Sequence, residues 1–92
     1  MNFNNPPFAA EKDIAGLKVT VMGLGLNGGG LATARFFASR GALVTVTDKK
    51  SEQELEPSLR ALADLPGIRY VLGKHELADF ENADTVIKNP GV

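Results

Sequence analysis

The groups in this chain best suited to holding a ligand belong to the backbone. Five of its ten glycines fall between Gly23 and Gly30, and Gly23-Leu24-Gly25-Leu26-Asn27-Gly28 has the spacing G-x-G-x-x-G. In a strand-to-helix turn each glycine of that pattern has a task. Gly23 makes the tight turn off the strand, Gly25 lets a phosphate approach the main chain, and Gly28 lets helix and strand pack closely. The helix that follows would offer unpaired N–H groups and a partial positive charge of about half a unit to an anion. A diphosphate suits such a corner. Gly29 and Gly30 lie outside the pattern, and each weakens a helix by about 1 kcal/mol. Something bulky, a ligand or another domain, is therefore expected close to that first turn.

Two other segments bear on the same corner. Asp48, twenty residues beyond Gly28, closes a β-branched run and could accept hydrogen bonds from a ribose hydroxyl or a base N–H. Its plainer reading is a solvated turn aspartate ahead of Lys49-Lys50. On the binding reading, Asp48→Ala weakens nucleotide binding without unfolding the chain. In Asn89-Pro90-Gly91, proline holds Asn89 extended and Gly91 leaves room for a ligand, although an ordinary turn accounts for the spacing equally well. Asn27-Gly28 is also a hairpin dipeptide, but a helical period follows it instead of a second strand. A glycine loop that packs and binds nothing is the remaining alternative.

No catalytic constellation is legible. Ser39, Ser51 and Ser58 lie on or beside expected helices and none sits in a G-x-S-x-G elbow. There is no G-x-x-x-x-G-K-[ST] loop. His75, the single histidine, has no cysteine or carboxylate cluster at metal-ligand spacing and reads as part of an exposed turn, Gly73-Lys74-His75-Glu76. The chain is expected to bind without catalysing, and to hold no metal.

The elements that would position the glycine corner alternate. Lys18–Met22 is a β-branched strand ending at glycine. Leu31, Ala34 and Ala38 then recur at helical spacing, with Gly41 as the stop. Leu43–Thr47 is a second strand running into Asp48. Ser51 and Glu54 have capping-box spacing, and Leu55, Leu59 and Leu62 continue a helical stripe toward Leu65. Pro57 favours a start near Glu56, with proline in the first turn. Ile68–Leu72 is the third strand, His75–Asn82 is weakly patterned, and Asp84–Lys88 is the fourth strand. Residues 1–16 read as a polar leader with one helical turn around Phe8–Ile14. The expected fold is α/β, a Rossmann-like doubly wound parallel sheet of strand order 3-2-1-4 over residues 17–92. It stops before a fifth strand, as a domain cut from a longer protein would.

Ninety-two residues support one core. With 43% hydrophobic and 23% charged residues and a net charge of −1, the balance points to neither nucleic acid nor an anionic membrane. Cysteine is absent, so disulfides and thiolate sites are excluded. No signal peptide or apolar membrane span is visible, and a cytoplasmic protein is expected.

Taken in order, Val19–Gly28, Ala34-Arg35-Phe36-Phe37, Arg40-Gly41-Ala42, Val44–Asp48, Gly73-x-His75 and the closing Asn89-Pro90-Gly91-Val92 resemble the amino-terminal domain of the Mur ligases. The likeness is strongest to the branch that adds D-glutamate in peptidoglycan precursor synthesis. It implies a three-domain cytoplasmic enzyme whose first domain grips the UDP of a UDP-muramoyl-peptide substrate. A central domain would bind ATP and Mg2+, and a third would receive the amino acid. The implied reaction activates the muramoyl peptide carboxylate as an acyl phosphate, which the amine then attacks. By the same resemblance, backbone N–H groups around Leu26 and Asn27 hold the diphosphate within the Gly23, Gly25, Gly28 loop. Asp48 and Lys49 face the uracil or ribose, and Asn89 and Gly91 line the nucleotide beside strand four. The family more often has serine where Asn89 stands, and the position of Lys49 varies among relatives. The fragment itself would be inactive, would bind no cofactor and would be monomeric. The competing class is an NAD(P)- or flavin-binding oxidoreductase domain, and a nucleotide-sensing regulatory module is the third.

Overall fold

The structure, a computed structural model, describes residues 14–25 and 29–88. Seven elements alternate along it: β1 (Lys18–Met22), α1 (Gly29–Ala38), β2 (Leu43–Asp48), α2 (Glu56–Ala61), β3 (Arg69–Leu72), α3 (Leu77–Glu81) and β4 (Thr85–Lys88). The four strands form one all-parallel sheet in the order β3-β2-β1-β4, as the alternation implied. The helical turn expected around Phe8–Ile14 lies outside the described residues, apart from Ile14, which is buried in the core.

Strand alternation explains the two faces. Val19, Val21, Val44 and Val46 point to one side, where Ala34 and Phe37 of α1 and Leu55 and Leu62 around α2 complete a single core. Fully burying a side chain of this kind contributes about 1.5–3 kcal/mol, and this cluster is the main source of stability. The alternate residues face α3, which is tied to the sheet by Thr20 Oγ1 donating to the Asp79 carbonyl at 2.6 Å. That second face is only partly covered among the described residues. Leu43 is 58% exposed and Val86 44%, and a cavity of about 330 Å³ opens between Thr20, Thr45, Arg69 and Asp79 near the amino ends of the strands.

The boundaries differ from expectation where side chains compete with the backbone. Ser51 and Glu54 do form the reciprocal capping bonds, at 3.0 and 3.2 Å. Yet they close a run of turns, and α2 itself starts at Glu56, with Pro57 in its first turn as expected. It ends at Ala61 instead of running toward Leu65. There the amides of Leu62, Ala63 and Leu65 bond back three residues, a tightened last turn. Arg35 on α1 fixes this end by donating to the Ala61 carbonyl and pairing with both oxygens of Asp64. The weakly patterned stretch after His75 contains the five-residue helix α3. Asp84 precedes β4 and anchors it, its carboxylate accepting from the Lys18 amide at 2.8 Å.

Candidate functional site

The corner where β1 hands over to α1 is built by the end of β2. Gly23 and Gly25 have positive φ, +95° and +69°, which only glycine adopts freely. These turns point three consecutive amides inward. The Gly23 N–H donates to the Thr47 carbonyl at 2.7 Å. Those of Leu24 and Gly25 both donate to Asp48 Oδ2, at 2.9 and 3.3 Å. Asp48 Oδ1 accepts from the Lys50 amide at 2.9 Å. The carboxylate, only 4% exposed, is thus the internal strut of the loop and not the solvated turn residue that spacing alone allowed. Gly25 is held from its other side too, because Ser58 Oγ donates to its carbonyl at 2.9 Å.

Burial by itself would raise the Asp48 pKa, but the three backbone N–H donors and the nearby Lys50 charge outweigh it and hold the carboxyl below its ordinary value. The sign for stability follows. A carboxyl whose folded pKa is depressed stabilises above its unfolded value, about 3.9, and loses that contribution as pH falls through the lower folded value. Urea midpoints should therefore be level from neutrality to about pH 5 and fall below about pH 4. Asp64, lowered by Arg35, adds a share of the same sign. That pair is exposed, so salt should screen most of it. An acid slope that disappears entirely in high salt would show that Asp48 is not the group responsible.

Gly30 packs directly against the glycine loop. A Cβ built on Gly30 would overlap the Gly23 carbonyl oxygen and lie 2.7 Å from Leu24 Cα. The neighbour crowding Gly30 in the first turn of α1 is therefore the chain's own glycine loop. His75 is likewise not part of an exposed turn. Gly73, at φ +81°, folds the chain back so that its amide donates to the carbonyls of Asp48 and Lys50, and Lys74 bridges Asp48. This brings His75 Nδ1 to 2.6 Å from Thr47 Oγ1, with the imidazole edge-on to Phe80 and Nε2 buried without a partner among the described residues.

Of the residues singled out from sequence, Gly23, Gly25 and Asp48 are thus brought together, with Lys49 exposed beside them. Leu26, Asn27, Gly28, Asn89 and Gly91 lie outside the described residues. β4 runs parallel to β1 with Lys88 opposite Met22, so it leaves the sheet beside the glycine loop. Among the described residues no three His, Asp or Glu side chains cluster as metal ligands would, and no helix is long and apolar enough to cross a membrane. Sequence reasoning missed Ser58 and Gly30 as parts of the corner. Ser58 left a signal, since Leu55, Ser58, Leu59 and Leu62 share one helical stripe and serine is its polar member.

Sheet order and glycine turn together define an α/β domain of the doubly wound, glycine-loop class. The family model described as Mur ligase MurD-like, N-terminal domain, matches residues 17–92, and the chain belongs to that family. It is 58% identical over 81 residues to the UDP-N-acetylmuramoylalanine--D-glutamate ligase of Borreliella burgdorferi strain ZS7, covering 87% of this chain and 18% of that protein. It is 54% identical over 77 residues to the ligase of the same name from Treponema pallidum strain Nichols, covering 84% of this chain and 14% of the relative. The corresponding Geobacter metallireducens ligase is 49% identical over 80 residues, 87% of this chain and 17% of its own length. The chain thus spans less than a fifth of the length of these curated relatives.

Proposed function

We propose that this chain is the substrate-gripping domain of a D-glutamate-adding Mur ligase of peptidoglycan synthesis, binding UDP-N-acetylmuramoyl-L-alanine by its nucleotide end. One observation carries the reading: the amides of Gly23, Leu24 and Gly25 are all spent on Thr47 and Asp48. Any main-chain grip on a diphosphate then falls to the next amides, those of Leu26, Asn27 and the start of α1, with Gly25 and Gly28 allowing close approach. Asp48 and Lys49 serve the uracil side, and Asn89 and Gly91 line the nucleotide from the end of β4.

The state of Asp48 weighs between ligand classes. A carboxylate offers about four acceptor positions, and three are taken by Leu24, Gly25 and Lys50. The one remaining suits a single donor such as the uracil imide N–H. A ribose offering both of its hydroxyls to one carboxylate would need two such positions. In the whole enzyme, ATP and Mg2+ would be bound by the parts of the protein beyond this chain, where the carboxylate is activated and the amine attacks. This chain contributes orientation of the substrate, acts as a monomer and works in the cytoplasm.

Calorimetric titration of the chain with UDP-N-acetylmuramoyl-L-alanine, UDP and NAD tests the proposal. Heat should appear with both uridine ligands and be absent with NAD at the same concentration. Saturable NAD binding without uridine-ligand binding would transfer the chain to the oxidoreductase class.

A further inference from the structure

Past Asp48 the chain leaves the sheet, and the shape of that exit depends on a segment from beyond β3. Thr47 and Asp48 are themselves paired with neighbouring strands, Thr47 opposite Met22 and Val71 and Asp48 opposite Leu72. Lys49 and Lys50 lie beyond the ladder. Their turn is held by the Gly73 amide, which donates to the carbonyls of Asp48 and Lys50 at 2.8 and 2.9 Å. The Lys50 amide in turn donates to Asp48 Oδ1 at 2.9 Å, so this turn sets the plane of the carboxylate and the direction of its remaining acceptor position. His75 secures the Gly73 segment. Its Nδ1 lies 2.6 Å from Thr47 Oγ1, the one hydrogen bond of the ring among the described residues, and the ring packs edge-on to Phe80 of α3. Thr47 is fully buried, so water does not compete for that anchor.

We propose that His75 is a positioning residue for recognition of the base, acting through Thr47 and the Gly73 segment to fix the Lys49–Lys50 turn and with it the free acceptor of Asp48. The inference rests on the UDP-binding reading above and deepens it, assigning the preference for uracil to this series of contacts. Uracil presents an N–H at the ring position where cytosine presents a bare nitrogen. A single well-aimed carboxylate acceptor therefore separates the two bases.

Calorimetric titrations of the chain with UDP, CDP and pyrophosphate test this. The unsubstituted chain should bind UDP more tightly than CDP. His75→Ala should lower that preference about fivefold, the scale of one ordinary hydrogen bond. Pyrophosphate binding should be unchanged, because the sheet pairing of Thr47 and Asp48 survives. Thr47→Val, which removes the same bond from its other side, should have the same effect, and the double variant should lose no more than either single one. His75→Asn, with a polar side-chain atom near the place of Nδ1, should regain most of the preference. A merely structural role would lower the melting temperature and leave the UDP-to-CDP ratio of the folded chain where it was. Equal affinity of the unsubstituted chain for UDP and CDP, an unchanged ratio in His75→Ala, a parallel loss of pyrophosphate affinity, or additive losses in the double variant would overturn the role of His75 and leave the UDP reading standing. No binding of UDP by the unsubstituted chain would overturn both. If His75→Ala does not fold, Thr47→Val decides by the same measurements.

Discussion

Gly30→Ala is expected to lower the stability of the chain by about 2 kcal/mol or more, although helix propensity predicts the reverse. Replacing a helical glycine with alanine ordinarily gains about 1 kcal/mol. Here the new methyl would overlap the Gly23 carbonyl oxygen and sit 2.6 Å from that of Leu24. Both are backbone atoms of a turn pinned by Thr47 and Asp48, so neither can swing aside as a side-chain tip would. Overpacking of this kind costs about 1–3 kcal/mol and sometimes more, and relief requires α1 to move off the loop. For a domain of this size each kcal/mol shifts the melting temperature by roughly 4–8 °C. Thermal denaturation should show a fall of about 10 °C or more, and a larger one for Gly30→Val. An unchanged or raised melting temperature for Gly30→Ala would mean that helix and loop are not packed this closely.

The second large effect concerns Asp48. Asp48→Ala leaves the amides of Leu24, Gly25 and Lys50 without their acceptor, that of Leu24 in a buried position and the other two partly buried. Hydrogen bonds to a charged group contribute about 1.5–3 kcal/mol each. Three sharing one carboxylate do not add fully, and a loss of about 3–5 kcal/mol is expected. Ninety-two residues carry a total stability of roughly 5–14 kcal/mol, so Asp48→Ala should lose a large share of it. Asp48→Asn retains one acceptor oxygen and turns an NH2 group toward a donor, and should lie between the two. Buried geometry thus replaces the expectation that Asp48→Ala impairs binding alone. Circular dichroism in urea checks it. A midpoint for Asp48→Ala equal to that of the original chain would return the residue to a surface role.

The fold was readable because its signals are local and repeated. Val19, Val21, Val44 and Val46 mark buried strands, the Leu31–Ala38 spacing marks a helix, and their alternation leaves few topologies open. Asp48 was legible as a position but not as a strut, because the direction of the Leu24 and Gly25 amides depends on φ values that the letters do not state. The packing of Gly30 was not legible for a related reason. Its contact with Gly23 and Leu24 depends on where α1 begins, which the G-x-G-x-x-G spacing does not state. His75 could not be placed from sequence because a single residue, Gly73, turns its segment across the end of β2. Each miss concerns a contact set by loop geometry, which periodicity does not encode.

Main-chain amides just beyond Gly25 are proposed to hold a pair of phosphates. Scalar couplings between phosphorus and amide groups, transmitted through hydrogen bonds, report this in an isotope-labelled complex of the chain with UDP. Couplings are predicted from the diphosphate to the amides of Leu26 and Asn27, with none to Gly23, Leu24 or Gly25, whose N–H groups point inward. A saturated complex with no coupling to any residue from 26 to 30, and ligand-induced shifts gathered around Thr20, Thr45 and Arg69 at the opposite end of the sheet, would contradict the account.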